Sequence, residues 1–329
     1  MRIRLAALLL ALSTGVAVPA LAADHVNFQF SWLPGGDRAA YYLAQSEGLF
    51  EAEGLDVDLV SGRGSSDSIT KVATGAADMG EGGLDALFTA KVGTEVPVVA
   101  VMPVYTKAPD SLVTTAASGI TGLKDVAGRK VATSPFTSSN GPWPFLLQAN
   151  GVDPESVELI KADASTLPAM LAAGRVDAII QYVTSAPQTV DLLESTGATP
   201  AIVPWAEYGL DGYSSTVFVS EAFLAEHRDV VLRFVRALVK AERLMQDDPA
   251  LAAAAVKAAI PEIELDMTRK QVDATVPLLF NANTDVAGLG IFDPDRVRTT
   301  WEWVARQQGV DPASMDPMAS VDLGIGKGE

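Results

Sequence analysis

From Val26 onward, short apolar strands alternate with helical stretches of about ten residues, and this alternation restricts the possible fold more than any other feature. Val26, Phe28 and Phe30 alternate with polar neighbours and predict a strand. Pro34-Gly35-Gly36 ends it, Asp37 offers an N-cap, and 38–47 reads as a helix stopped by Gly48. Leu55, Val57 and Leu59 alternate with Asp56 and Asp58 in a second strand, which runs through SGRGSSDS into a helix with Ile69 and Val72 inward. The unit repeats, with strands expected at 76–80, 96–105, 130–134, 157–161 and 176–182, and helices at 84–92, 142–150, 168–174 and after Ser185-Ala186-Pro187. Such alternation implies largely parallel sheets covered on both faces, an α/β fold. After about residue 220 the pattern is mainly helical, and the tail beyond Gly309 carries no clear periodicity.

Residues 1–23 stand apart from this pattern. Arg2 and Arg4 precede a short apolar run, and Ala20-Leu21-Ala22-Ala23 fits a secretory cleavage site, so 1–23 reads as a signal peptide. Removing its two arginines takes the formal charge from −17 to −19. So acidic a chain is a poor partner for nucleic acid, and its self-repulsion predicts a soluble monomer. There is no cysteine, which removes a lipid-attached cysteine, a disulfide framework and a thiolate metal site. The expected location is the periplasm, without a lipid anchor.

In open α/β sheets, ligands bind outside the carboxyl ends of the strands. Four loops and one strand end qualify by position: Trp32 to Arg38, the turn around Ser65, Glu81-Gly82-Gly83, Ser138-Ser139-Asn140 with Trp143 just beyond, and Tyr182. Serine turns at helix starts offer hydroxyls and free N–H groups, and the aromatics offer flat faces. Each has a plainer reading. Asp37 and Ser65 can serve as caps, Trp32 as core and Gly82 as a turn residue. Arg38 opposes the helix dipole, so it is either paired with Asp37 or solvent, or held for an anion. The two histidines lie apart, and no HExxH or GxSxG motif is present. No catalytic residue, metal site or cofactor is predicted; a carboxylate-only hydrolase is the enzymatic alternative.

Five segments resemble, in order, the type II periplasmic solute-binding proteins of ABC importers for nitrate, taurine and other sulfonates, and thiamine pyrimidine precursors. They are WLPGGDRAAYYLAQSEGLFEAEGLDVDLV, VATGAADMGEGGLDALFTAKVGTEVPVVAV, ITGLKDVAGRKVATS, LAAGRVDAIIQY and FLAEHRDVVLRFVRALVKAERLMQDDPALAA. The resemblance implies two α/β lobes joined by a two-strand hinge near 112–115 and 215–219. Lobe one would be 24–114 with 216–329, and lobe two 115–215. It places ligand contacts on Trp32, Asp37, Arg38, Glu81, Gly82, Ser138, Ser139 and Tyr182. The loop reading adds Ser65 and Asn140. The expected ligand is a small anionic or ring-bearing solute: a sulfonate, an aromatic acid or a pyrimidine-like molecule. The expected partner is an ABC permease in the inner membrane; a sensing module for a membrane receptor is the alternative. Pyrimidine-precursor binders commonly carry Asn-His where this chain has Asp37-Arg38, and the cysteine-rich motif of the fungal pyrimidine synthase is absent.

Overall fold

The computed structural model describes residues 23–135 and 137–329; the expected signal peptide, apart from Ala23, lies outside the described residues. The strands are β1 (Asp24–Gln29), β2 (Leu55–Val60), β3 (Met79–Gly83), β4 (Val98–Pro103), β5 (Asp110–Thr115), β6 (Lys130–Thr133), β7 (Glu158–Lys161), β8 (Ala178–Tyr182), β9 (Pro200–Pro204) and β10 (Ser215–Ser220). They form two five-stranded sheets, ordered β2-β1-β3-β10-β4 and β7-β6-β8-β5-β9. In each sheet one strand runs against its neighbours: β10 is antiparallel to β3 and β4, and β5 is antiparallel to β8 and β9. The fold is therefore α/β with two mixed sheets, each centred on parallel strands.

The chain crosses between the sheets twice, at 104–109 and 205–214. The strands expected to form the hinge are interior strands instead. All of β5 pairs within the second sheet, so the first crossing comes before it rather than at residue 114. Ser215 already pairs with Gly83 in the first sheet.

Both faces of the first sheet are covered. On one side Phe234, from helix Arg228–Asp247, stacks on Phe28 of β1 and on Phe50, with ring centroids 5.0 Å apart in each case. On the other side Trp301, from helix Pro294–Gln308, meets Phe88 edge-on at 5.8 Å. The helical C-terminal third thus supplies the layers that this sheet needs to bury its apolar residues. The tail after Gly309 is more ordered than its sequence suggests: Val321 bridges to Ala100 of β4, and Ile325 is buried. In the second sheet Trp143 stacks on Trp205 at 5.2 Å, both buried. Trp143 is therefore core rather than a wall of the fourth loop.

One buried group stands out. Glu242, in the middle of helix Arg228–Asp247, is fully buried and neither carboxyl oxygen has a partner among the described residues. Burial pushes its pKa well above the carboxylate range. The folded state then holds a proton that the unfolded chain has lost, so stability is full at low pH and falls as pH rises toward the folded pKa, by up to ~1.4 kcal/mol per pH unit. Glu242→Gln is expected to remove this slope. In urea unfolding the variant should gain on the parent steadily above about pH 5, and parallel pH profiles would contradict a neutral Glu242.

Candidate functional site

The site begins where β1 ends. Gly36 brings the turn after β1 against helix Leu265–Leu279: a Cβ there would meet the carbonyl oxygen of Thr268 at 2.3 Å, and the Gly36 N–H donates to Gln271 Oε1 at 2.9 Å. Gly36–Arg38 forms a single tight helical turn before helix Ala39–Ser46. Asp37 is consequently not the N-cap that its position suggests. Its carboxylate turns to Arg38, whose Nη1 donates to Asp37 Oδ2 at 2.5 Å.

Arg38 is 7% exposed and Glu81 is 3% exposed. Arg38 Nε and Nη2 lie 2.8 and 2.6 Å from Glu81 Oε1, and Nη2 also donates to Ser31 Oγ at 3.1 Å. Ser31 Oγ donates to Glu81 Oε1 at 2.9 Å, and Ser215 Oγ donates to Oε2 at 2.9 Å. Burial opposes the charge on Arg38, but Asp37 and Glu81 outweigh it and hold the guanidinium above its ordinary range. For Glu81, burial alone would raise the pKa; Arg38 and the two serine hydroxyls hold it below the usual value. The charges of Arg38 are thus met inside the protein.

Glu81-Gly82-Gly83 is strand rather than loop: it pairs with Val217, Thr216 and Ser215 of β10. Gly82 is required here because a Cβ would come within 2.9 Å of the Phe218 ring. Placing Glu81 in a strand buries it beside Arg38, which a flexible loop would not do.

Two adjoining cavities open between the lobes. One is lined by Ser31, Asp37, Arg38, Ser65, Gly82, Asp85, Tyr105, Ser138, Tyr182 and Ser215, among others. The other shares Asp85, Ser138, Tyr182 and Ser214 and continues past Asp110 to Tyr213 and Trp303. Ser138 Oγ and the Tyr182 hydroxyl are 2.6 Å apart, a hydrogen-bonded pair facing the shared space. Ser65 Oγ accepts from the Gly83 N–H at 3.1 Å.

Asp110, 8% exposed, opens β5 and accepts from Ser139 Oγ at 2.6 Å. Burial pushes its pKa up to about 6, against the Ser139 hydrogen bond and with help from the nearby Asp85 charge. Burial also raises Asp85, at the start of helix Leu84–Lys91. Among the described residues that line either cavity, Arg38 is the one lysine or arginine.

The structure therefore gathers Asp37, Arg38, Ser65, Gly82, Ser138 and Tyr182 around one space, with Glu81 directly behind Arg38. Three expected residues lie elsewhere. Trp32 is 49% exposed and lines neither cavity. Ser139 is buried and supports Asp110. Asn140 braces its own turn, accepting from Thr133 Oγ1 and donating to the Ser134 carbonyl oxygen. Asp85, Tyr105, Asp110 and Ser214 were absent from the sequence-based set. An acid in the first turn after a predicted strand could have signalled Asp85; Asp110 and Ser214 depend on where the crossings fall.

Two α/β lobes, linked by two crossings and enclosing a cleft, constitute the periplasmic-binding-protein fold. The aliphatic sulphonate binding protein SsuA of Escherichia coli shares it, with a TM-score of 0.70 over 92% of this chain and 99% of that one, at 14% identity. The chain belongs to the NMT1/THI5-like family, whose profile matches residues 36–252. It is 27% identical to a formylaminopyrimidine-binding protein of Halalkalibacterium halodurans, covering 69% of this chain and 68% of the relative. It is 23% identical to a 4-amino-5-hydroxymethyl-2-methylpyrimidine phosphate synthase of Schizosaccharomyces pombe, covering 70% and 68%.

Removing one partner of a buried ion pair leaves the other charge uncompensated, typically at a cost of ~3–5 kcal/mol. Glu81→Ala is accordingly expected to lower unfolding free energy by that order, while Glu81→Ala with Arg38→Met recovers much of it. A single-variant loss below about 1 kcal/mol, the scale of a solvent-exposed pair, would contradict the pair's burial.

Proposed function

We propose that the chain is the periplasmic solute-binding component of an ABC import system, which captures a small ring-bearing ligand between its lobes and presents it to a permease in the inner membrane. The relative named as a formylaminopyrimidine-binding protein supports capture without catalysis. Binding-named and synthase-named relatives match similar shares of the chain, so turnover of a bound compound would overturn the non-enzymatic reading.

The charge state of the cleft carries the ligand assignment. A sulfonate or aromatic carboxylate would bring a negative charge to a space whose lining cation is already bonded to Glu81 and Asp37. Asp85 and Asp110 would repel it. A neutral or cationic ring with N–H donors, such as an aminopyrimidine, would find acceptors in Asp85, Asp110, Ser138 and Tyr182. The likeness to a formylaminopyrimidine-binding protein supports the same class; the likeness to SsuA, at 14% identity, supports the fold alone. The ligand would shift the lobes toward closure by making more contacts there than in the open form.

A thermal-shift comparison tests this. At about 100 times Kd a true ligand adds ~2.7 kcal/mol of stability, so aminopyrimidines should raise the melting temperature while sulfonates and aromatic acids of equal size should not. Affinity for the aminopyrimidine should fall as the pH drops through about 6, where Asp110 takes up a proton and loses an acceptor. Stabilisation by sulfonates alone would overturn the ligand assignment.

A further inference from the structure

Both crossings converge on one buried side chain outside the ligand space. Arg296 lies in the first turn of helix Pro294–Gln308 and is nine-tenths buried. Its Nη2 donates to the carbonyl oxygen of Thr106 on the first crossing at 2.6 Å, and to that of Gly212 on the second at 2.7 Å. Its Nη1 is 2.6 Å from Asp211 Oδ1, and the guanidinium stands 5.4 Å from the centre of the Tyr213 ring.

Other contacts fix the same points to lobe one. The Thr106 N–H donates to the Leu278 carbonyl oxygen at 3.0 Å, and Asn283 Nδ2 donates to the Thr106 carbonyl oxygen at 3.0 Å. The Tyr213 N–H donates to Thr300 Oγ1 at 2.8 Å. On the far side, Trp205 and Leu210 are buried in the core of lobe two. Between Leu210 and the clasped Gly212 carbonyl, the backbone left to bend in the second crossing is that of Asp211 and the N–Cα bond of Gly212, whose φ of +132° is a conformation that other residues rarely adopt. In the first crossing, the corresponding stretch is Lys107 to Pro109.

We infer that Arg296 is a hinge clasp: it ties the two crossings side by side on lobe one, confines interlobe bending to the short stretches beyond it, and thereby sets the closed population and ligand affinity. An arginine suits this role because its planar fork can bond two carbonyl groups and a carboxylate at once, whereas a lysine ammonium lacks that fixed geometry. The two lobes are bridged by an ion pair, with Lys270 Nζ 2.6 Å from Asp191 Oδ1, so the clasp as described belongs to a form in which the lobes meet. The affinity part of the inference rests on the ligand-capture reading; the bending part does not.

The test exploits the absence of cysteine in the chain. Glu194→Cys and Val286→Cys place one spin label on each lobe of the full mature protein, and pulsed dipolar spectroscopy reads the interlobe distance distribution without ligand. Arg296→Met is expected to broaden that distribution toward longer distances, and to weaken binding of the ligand identified by thermal shift by about tenfold, the scale expected for residues that modulate coupling between states. Arg296→Lys should broaden it as well. Asp211→Ala, at an exposed position whose carboxylate also accepts from the Gly212 N–H at 2.9 Å, should broaden it less and reports if Arg296→Met fails to fold. A folded Arg296 or Asp211 variant with the parent's distance distribution overturns the inference, even if its melting temperature has fallen. Broadening with unchanged affinity overturns the link to binding, and leaves the ligand class to be judged by the thermal-shift comparison.

Discussion

The buried ion pair between Arg38 and Glu81 is the interaction on which the site depends. It removes two charges from water, and such a pair is tolerable only when the remaining polar atoms are also satisfied. Here Ser31, Asp37 and Ser215 meet that need, so the turn after β1, strand β3 and strand β10 are held together by one network. The second crossing delivers Ser215, so the return of the chain to lobe one supplies the hydrogen bond to Glu81 Oε2. The same network sets the electrostatics of the cleft, because among the described lining residues it leaves no free cation and several carboxylates.

Much of the architecture was legible from periodicity. The β1, β2, β6 and β8 segments alternate or run apolar as strands do, and glycines follow the helices that they stop. The type of fold followed from strand–helix alternation, and the double crossing from the family resemblance. What periodicity missed was the extent of β3. Glu81-Gly82-Gly83 looks like a turn, but Gly82, with Gly80 before it, leaves room for the Phe218 ring of a strand distant in sequence. Only the antiparallel partner makes that composition sensible.

The site was legible in part, for a related reason. Arg38 was recognised as anomalous, since a cation in a first helical turn opposes the dipole. Its alternatives were a local partner or an anionic ligand, and its principal partner proves to be Glu81, 43 positions away in the chain. Trp32 differs: an aromatic at a strand end before a glycine turn looks like a pocket wall, yet it is half-exposed and lines neither cavity. Asp110 could not be placed before the first crossing was located, because its burial depends on Ser139 and on the contact between lobes.

We propose that Arg38 serves Glu81 rather than the ligand, and that the cleft therefore selects rings bearing hydrogen-bond donors. The most direct measurement is a crystal structure of the mature chain with its bound ligand. The account requires Arg38 to remain hydrogen-bonded to Glu81 and Asp37, with the ligand's donors directed at Asp85 or Asp110. An Arg38 side chain released from Glu81 and bonded to a negatively charged group of the ligand would contradict it.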